Sequence, residues 1–190
     1  MSERRERPSS DGLILEAAKR LVRRGGAAQV SMGDVAAEAG VSKALIHYHF
    51  EDKDSLLAAL VESVGGVVLE RARGNDVAMA DQPLDALWAW LERELREGDI
   101  RVLVSLSDCD SAATRAASRR VAGERLRLVA HDVSAAFQKL ELTPRMPAAL
   151  VAETVLAFVD GIACRAALGS VQDPRGAFDV MWLALLTLSE

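Results

Sequence analysis

Residues 31–50 read SMGDVAAEAGVSKALIHYHF, and this stretch contains two helix starts and one helix stop. Ser31, with Asp34 three residues later, approximates a capping box at the first start. Gly40 fits the left-handed position that ends a helix, and Ser42 is a second N-cap. The pattern therefore predicts two short helices joined by a tight glycine turn, the geometry that lays a second helix in the major groove of DNA.

The rest of the chain places apolar residues at helical spacing, and no segment alternates as a β-strand does. A first helix is predicted over residues 12–24, with Gly25 and Gly26 as its stop. Glycines, prolines and other turn formers divide the remainder into helices at about residues 53–73, 84–98, 99–109, 111–140, 148–168 and 174–188. We therefore predict an all-α fold of about nine helices.

With 190 residues, the chain is long enough to bury a core without disulfide bonds. Cys109 and Cys164 lie far apart in apolar stretches, which favours free buried thiols in a reducing cytoplasm. The N-terminal sequence has no apolar segment, and charged residues interrupt the longest apolar runs. We expect a cytoplasmic protein of bacterial type that does not associate with membranes.

The net charge of −5 is unevenly distributed along the chain. Residues 1–55 contain nine basic and nine acidic residues, so the remaining residues supply the whole negative charge. Up to Arg24 there are seven basic residues and four acidic ones. This distribution is compatible with a DNA-binding head on a body that does not bind DNA.

The rings at His47, Tyr48 and His49 do not fit a metal or catalytic site. Two histidines on one face of a helix need a spacing of three or four, whereas His47 and His49 are two residues apart. Glu-x-x-His pairs for a di-iron site and a nucleophile-elbow signature are both absent from the sequence. We therefore expect no enzyme activity, no metal and no cofactor.

Recognition fits the same rings better, because the second helix of the pair presents them on one side. The predicted shared core of the two helices consists of Val35, Ala36, Ala39, Val41, Ile46 and Phe50. The outward positions are Ser42, Lys43, Ala44, His47, Tyr48 and His49. Most of these side chains carry donors that meet phosphates and base edges, so they form a candidate recognition surface.

Two runs of residues carry a family resemblance: IxxAA at residues 14–18 and SMxDVAxxAGVSKAxIxYHFxxKxxLL at residues 31–57. Together they resemble the N-terminal domain of TetR-family regulators. That resemblance implies an all-helical homodimer that binds a palindromic double-stranded DNA operator and is released by a small-molecule effector. It also implies a basic arm at residues 1–9, a helix-turn-helix domain at residues 10–56 and a ligand-binding and dimerisation domain at residues 57–190.

The resemblance implies DNA contacts at Ser31, Ser42, Lys43, Ala44, His47, Tyr48, His49 and Lys53. Ala44 stands where the family often has Gly, and His47 where it often has Tyr, which puts base contact at those two positions in doubt.

Each of these residues also has a purely structural interpretation. His49 can pack beside Phe50 and hold a helix corner, Lys53 can be a solvated charge, and Ser31 and Ser42 can act as caps alone. Three basic residues of the arm either reach a neighbouring groove or remain disordered: Arg4, Arg5 and Arg7.

Beyond the resemblance, the two most apolar helices lie at the end of the chain, at residues 148–168 and 177–188. Their apolar surface exceeds what one core of this size absorbs, so we predict that they pair with their copies in a four-helix dimer interface. The alternative is that both helices are buried inside one protomer.

A ligand cavity is predicted among helices four to eight. Its candidate apolar walls are Met79, Trp88, Leu103, Phe137, Phe158 and Cys164, and its candidate polar groups are His131, Asp160 and Arg165. Ordinary core packing is the alternative for the apolar residues, and a salt bridge or a solvated rim is the alternative for the polar ones. Five arginines are expected to form a solvated face: Arg115, Arg119, Arg120, Arg125 and Arg127.

A large apolar body with few polar groups favours an uncharged or amphipathic effector, and the expected protein is a one-component repressor. The alternatives are a helix-turn-helix regulator without an inducer and a helical enzyme that carries a DNA-binding head.

Overall fold

The computed structural model describes residues 9–75 and 77–189. These residues form nine α-helices: α1 Ser10–Gly25, α2 Met32–Ala39, α3 Lys43–His49, α4 Lys53–Arg73, α5 Pro83–Glu97, α6 Asp99–Ser107, α7 Ala112–Lys139, α8 Ala148–Ala167 and α9 Pro174–Thr187. The described part contains no β-strand, only an isolated bridge between Pro144 and Ser189. The predicted all-α fold is confirmed, whereas the predicted arm lies almost entirely outside the described residues.

The capping residues act as the sequence predicts. Ser31 Oγ accepts a hydrogen bond from Asp34 N at 3.2 Å and donates one to Asp34 Oδ2 at 2.5 Å. Gly40 ends α2 at φ 69° and ψ 32°, a left-handed conformation that favours glycine. Ser42 Oγ accepts from Leu45 N at 3.1 Å and starts α3. Since one residue, Val41, separates Gly40 from Ser42, α2 and α3 meet at a tight turn.

A small apolar core fixes α2 and α3 against α1. Val35, Ile46 and Phe50 are buried there with Ile14 and Ala18 of α1. The exposed rim of the same contact is charged, because Arg20 Nε donates to Glu38 Oε1 at 2.7 Å and Arg24 also binds Glu38. The hydrogen bonds from Arg20 and then Arg24 lower the pKa of Glu38. The first three helices therefore form one compact head.

Helix α4 leaves the head and packs lengthwise against α7 in the body. The two helices approach closely at Gly65, where an added Cβ would lie 2.6 Å from Val121 Cγ2. Gly66, the next residue, is exposed and has nothing within 4 Å of an added Cβ. A glycine at position 65 therefore allows close α4–α7 packing, whereas the glycine at position 66 has no such role.

These two glycines give a matched test of the packing. Gly65→Ala is expected to lower the free energy of unfolding by about 1–3 kcal/mol, because the methyl group overpacks the α4–α7 contact. Gly66→Ala is expected to raise it by up to about 1 kcal/mol, because alanine favours an exposed helix. Urea unfolding followed by circular dichroism measures both. A stabilising Gly65→Ala would contradict the close approach.

Aromatic side chains join α5, α7 and α9 in the body. The ring of Phe178 lies 5.5 Å from that of Trp88 and 6.1 Å from that of Trp182, which in turn lies 6.2 Å from Phe137. Arg175 Cζ lies 5.4 Å from the centre of the Trp88 ring. The buried face of α9 thus packs within its own protomer. Among the described residues, no helix has the length and apolar character needed to cross a membrane.

Candidate nucleic-acid interface and body cavities

Helix α3 presents an aromatic ring to solvent. The Tyr48 side chain is 82% exposed, and Lys43, Ala44 and His47 of the same helix are also exposed. Buried Ile46 and Phe50 hold the opposite side of the segment in the head core. A large ring held in water on a short, fixed helix is positioned to meet a binding partner.

His49 differs from its neighbours because it faces α1. Its Nε2 is hydrogen bonded to Ser10 Oγ at 2.7 Å, and its ring lies 6.3 Å from that of Phe50. The edge of the same ring contacts Tyr48 at 5.1 Å between ring centres. This geometry favours the structural interpretation of His49, which joins α3 to α1 and supports the Tyr48 ring.

Lys43 lies across the start of α2. An added Cβ on Gly33 would lie 3.2 Å from Lys43 Cε and 3.3 Å from its Nζ. Ser31 and Ser42 cap α2 and α3 and remain exposed, so both helix starts can also accept an anion. One cation and two capped helix starts therefore lie together on the side of the head that includes α3.

Lys53 begins α4 and reaches back to the α1–α2 connection, where its Nζ donates to Ala28 O at 3.1 Å. Asp52 forms a capping box with Ser55, and the hydrogen bond from Ser55 N lowers the pKa of Asp52. Lys53 is half-buried rather than fully solvated. Its ammonium group thus lies at the edge of the head with one hydrogen bond to backbone.

The predicted ligand residues fall into separate places. Leu103 and Asp160 line a cavity of about 140 Å³ among α4, α6, α7 and α8. Phe158 and Arg165 line a groove of about 510 Å³ where α8 meets the connection to α9. No single described cavity contains all nine candidates.

The other candidates lie outside both cavities. Trp88 and Phe137 belong to the aromatic cluster, and His131 and Met79 are exposed, Met79 by 76%. Cys164 is half-buried, and burial raises the pKa of its thiol. Core packing, the alternative given by the sequence, describes Trp88 and Phe137.

The position of Arg125 differs from the prediction that the five arginines of α7 form a solvated face. Arg119, Arg120 and Arg127 are exposed, but Arg125 is only 6% exposed and lines the 140 Å³ cavity. Its Nη2 donates to Asp160 Oδ1 at 2.6 Å. The prediction of a solvated Arg125 is wrong, because the repeat of α7 turns this position toward α8.

A larger cleft of about 590 Å³ separates the head from the body. Its lining includes Lys53 and Asp54 of α4, together with Ser105 and Cys109. Ser105 Oγ accepts from Ala27 N at 3.1 Å across the cleft, and burial raises the pKa of the Cys109 thiol. No sequence pattern predicts this cleft, because its walls come from distant segments.

A buried charge network lies where α1, α4, α5 and α6 meet. Arg71 Nε and Nη2 donate to the two oxygens of Glu94 at 2.6 and 2.7 Å, and Nη2 also donates to Asp99 Oδ2 at 2.9 Å. Lys19 Nζ forms an ion pair with Asp99 Oδ1 at 2.6 Å, outside hydrogen-bond geometry. The hydrogen bond to Glu94 is the largest cause of a raised pKa at Arg71.

The sequence contained one signal for that network. Glu94 follows Leu91 by three residues and Leu87 by seven, so it occupies the buried face of α5, where a lone carboxylate needs a partner. No cluster of three or more potential metal ligands occurs in the part of the chain that is described.

The head geometry defines a helix-turn-helix domain, carried on an all-helical body. Residues 14–60 match the family described as bacterial regulatory proteins, tetR family. Through these residues the chain carries the DNA-binding domain of TetR-family transcriptional regulators. No curated protein matches the sequence.

Solved structures share the whole fold. A TetR transcription regulator from Haloarcula marismortui is 19% identical, with a TM-score of 0.77 over 95% of this chain and 98% of that one. The fatty acid degradation regulator FadR from Bacillus halodurans is 15% identical, with a TM-score of 0.74 over 96% and 97%. FadR from Bacillus subtilis, solved in complex with stearoyl-CoA, is 16% identical, with a TM-score of 0.73 over 92% and 97%. At these identities, the likeness shows a common fold.

Proposed function

We propose that the protein is a one-component repressor, which binds a palindromic operator as a homodimer and is released by a small, largely apolar effector. The 82% exposed Tyr48 carries this proposal, because it shares the short helix α3 with exposed Lys43, in a head with two capped helix starts. Residues 10–56 bind DNA and residues 57–190 provide dimerisation and ligand binding.

The recognition surface divides into phosphate contacts and base contacts. Tyr48, Lys53 and the capped starts at Ser31 and Ser42 hold phosphates, because a hydroxyl, an ammonium and free helix N–H groups all suit an anion. Lys43 lies at the first turn of α3, the end of a recognition helix that reads base edges.

The remaining positions on α3 differ in their roles. Ala44 and His47 flank Lys43 on the exposed side and come close to the bases. His49 contributes indirectly, since its hydrogen bond to Ser10 sets the angle of α3 on α1.

Exposed apolar residues on α8 and α9 support the proposed dimer. Leu150 of α8 and Leu168, the residue directly after α8, are 47% and 74% exposed, and Val180 and Leu183 of α9 are 68% and 65% exposed. The small exposed residue Gly161 lies between the two leucines and allows close helix approach. Pairing these faces across a two-fold axis removes their apolar surface from water.

An effector can release DNA only if it binds one arrangement of the dimer more tightly than the other. A ligand with equal affinity for both arrangements does not change their populations. The 140 Å³ cavity touches α4, which continues into the head, and α8, which carries the proposed dimer face. A ligand there acts on both. The stearoyl-CoA complex of the Bacillus subtilis FadR supports a ligand-responsive body for this fold.

A regulator without an inducer is the second candidate. The contact of Gly65 with Val121 supports it, because a body packed this closely along α4 and α7 leaves little room between those helices. Operator binding measured while a metabolite panel is added distinguishes the two candidates. If no compound both stabilises the protein and releases DNA, the repressor binds without an effector.

Substitutions on α3 test the DNA-binding proposal. Tyr48→Ala is expected to weaken operator binding about tenfold for every sequence, because a bond to a charged phosphate is lost. Lys43→Ala is expected both to weaken binding and to relax the preference at one base position. Fluorescence anisotropy on a selected operator and on single-base variants measures both effects.

The control for this experiment is Tyr48→Phe, which keeps the ring and removes the hydroxyl. It is expected to behave like Tyr48→Ala if the hydroxyl holds a phosphate. Affinity should also fall steeply with salt, since phosphate contacts dominate. An unchanged base preference in Lys43→Ala would remove Lys43 from base readout.

A further inference from the structure

The 140 Å³ cavity in the body is lined along one stripe of α7. Ser118, Val121, Ala122 and Arg125 lie at intervals of three and four residues and therefore share one helix face. Val61 of α4 and two residues of α6, Leu103 and Val104, form apolar walls. The cavity thus combines an apolar lining with two polar groups of α7.

The buried Arg125 has donors to spare. A guanidinium group carries five N–H donors, and the described structure gives Arg125 one hydrogen bond, to Asp160 Oδ1 at 2.6 Å. Asp160 already compensates the positive charge and is itself 32% exposed to solvent. A second anion beside Asp160 would be repelled, whereas a neutral oxygen acceptor would satisfy the remaining donors without adding charge.

Ser118 provides a second group without a partner. Its Oγ is buried and has no hydrogen bond among the described residues. Ser107, on the α6 side of the same cavity, differs because its Oγ already donates to Val104 O at 2.7 Å. A buried hydroxyl without a bond costs free energy, so Ser118 gains most from a ligand that accepts its proton.

The volume limits the ligand to one small ring or a short chain. An apolar cavity of about 150 Å³ holds one benzene molecule. We propose that the cavity binds a neutral carbonyl compound of about seven heavy atoms, whose oxygen accepts from Arg125 and Ser118 and whose hydrocarbon part packs on Val61 and Leu103. This inference rests on the proposed function, since it names the chemical class of the effector.

Three probes of similar size separate the contributions of the oxygen acceptor, the hydrocarbon shape and the charge to ligand binding. Cyclohexanone supplies the neutral acceptor, methylenecyclohexane keeps the shape without oxygen, and cyclobutanecarboxylate adds a charge with the same number of heavy atoms. At millimolar concentration, cyclohexanone is expected to raise the melting temperature of the full chain and the other two are not. Equal shifts with methylenecyclohexane, or a larger shift with the carboxylate, would overturn the proposal.

Ser118→Ala and Ser107→Ala form a matched pair within the cavity. Ser118→Ala is expected to weaken cyclohexanone binding about fivefold without lowering the melting temperature of the ligand-free protein, because its hydroxyl has no partner to lose. Ser107→Ala is expected to change binding less than twofold. Equal effects of the two substitutions on binding would overturn the role of Ser118.

Operator binding is measured separately on the same proteins. If the chain does not bind any selected duplex, the proposed function fails whatever the probes do. If it binds and releases an operator in response to other compounds while cyclohexanone neither binds nor competes with them, only this inference fails.

Discussion

Replacing Glu94 with Gln is expected to lower the free energy of unfolding by about 3–5 kcal/mol. Glu94 is fully buried and accepts two hydrogen bonds from Arg71. Glutamine removes the negative charge and turns an amide N–H₂ toward the guanidinium group, so Arg71 keeps only Asp99 as its compensating charge. Urea unfolding monitored by circular dichroism measures the loss.

A matched control lies on the same helix. Glu92 forms an exposed pair with Arg96, with the side chains 51% and 63% exposed, so Glu92→Gln is expected to change stability by less than about 0.5 kcal/mol. The double substitution Arg71→Met with Glu94→Leu is expected to recover part of the loss, because no unpaired charge is left at α5 and Asp99 keeps its ion pair with Lys19. A Glu94→Gln protein as stable as Glu92→Gln would show that the network contributes little.

The network also has a place in the proposed mechanism. Lys19 belongs to α1 in the head, whereas Glu94 and Asp99 belong to α5 and α6 in the body. Arg71 lies on α4, the helix that connects the two parts. The charges therefore tie α1 of the head to the last turn of α4 and to α5 and α6 of the body, and any shift of the head has to move or break the Lys19–Asp99 pair.

Local signals explain why the helices were predicted well from the sequence. Gly40 required a left-handed conformation, Ser42 supplied an oxygen for a free N–H, and Asp173 followed by Pro174 started α9. Each of these signals acts within about four residues, and such effects survive in almost any tertiary context. The head core was also predictable from local patterns, because its apolar residues recur at helical spacing within each helix.

Long-range pairing explains what the sequence could not give. His49 meets Ser10 across 39 residues, and Arg125 meets Asp160 across 35. The spacing of Ala117 and Val121 places Arg125, and not exposed Arg120, on the buried stripe of α7, but it does not identify the partner of Arg125. The helix that packs against α7 determines which residue pairs with each arginine, and therefore what role its charge has.

The pocket prediction shows the same limit for apolar residues. Leu103 lines a cavity, but Phe137 packs into the aromatic cluster, although both occupy apolar positions at helical spacing. A cavity forms where side chains from several helices together leave a space unfilled, so the sequence pattern of one helix does not predict it. The polar residues Ser118 and Arg125 mark the cavity only after the helices are assembled.

Leu183→Asp is expected to convert the protein to a monomer and to weaken operator binding by on the order of 100-fold or more, because two linked heads bind far more tightly than one. Leu183 is 65% exposed and lies about 100° around α9 from its neighbour, buried Trp182. In a two-fold dimer the substitution places two carboxylates in the proposed apolar interface, where burial of unpaired charge is costly. Light scattering after size exclusion measures the mass, and anisotropy measures operator affinity.

Val67→Asp is the matched control, because Val67 is 46% exposed on α4, away from the α8 and α9 faces. It adds the same charge at an exposed apolar position and is expected to leave both dimer mass and operator affinity unchanged. Circular dichroism checks that both variants keep the helical content of the parent. If Leu183→Asp remained dimeric with full affinity, the two-fold would have to use another face, and exposed Leu150 and Leu168 would need a different partner. If it became monomeric yet kept full operator affinity, each head would bind independently, and the palindromic operator rather than the interface would be the part of the proposal to abandon.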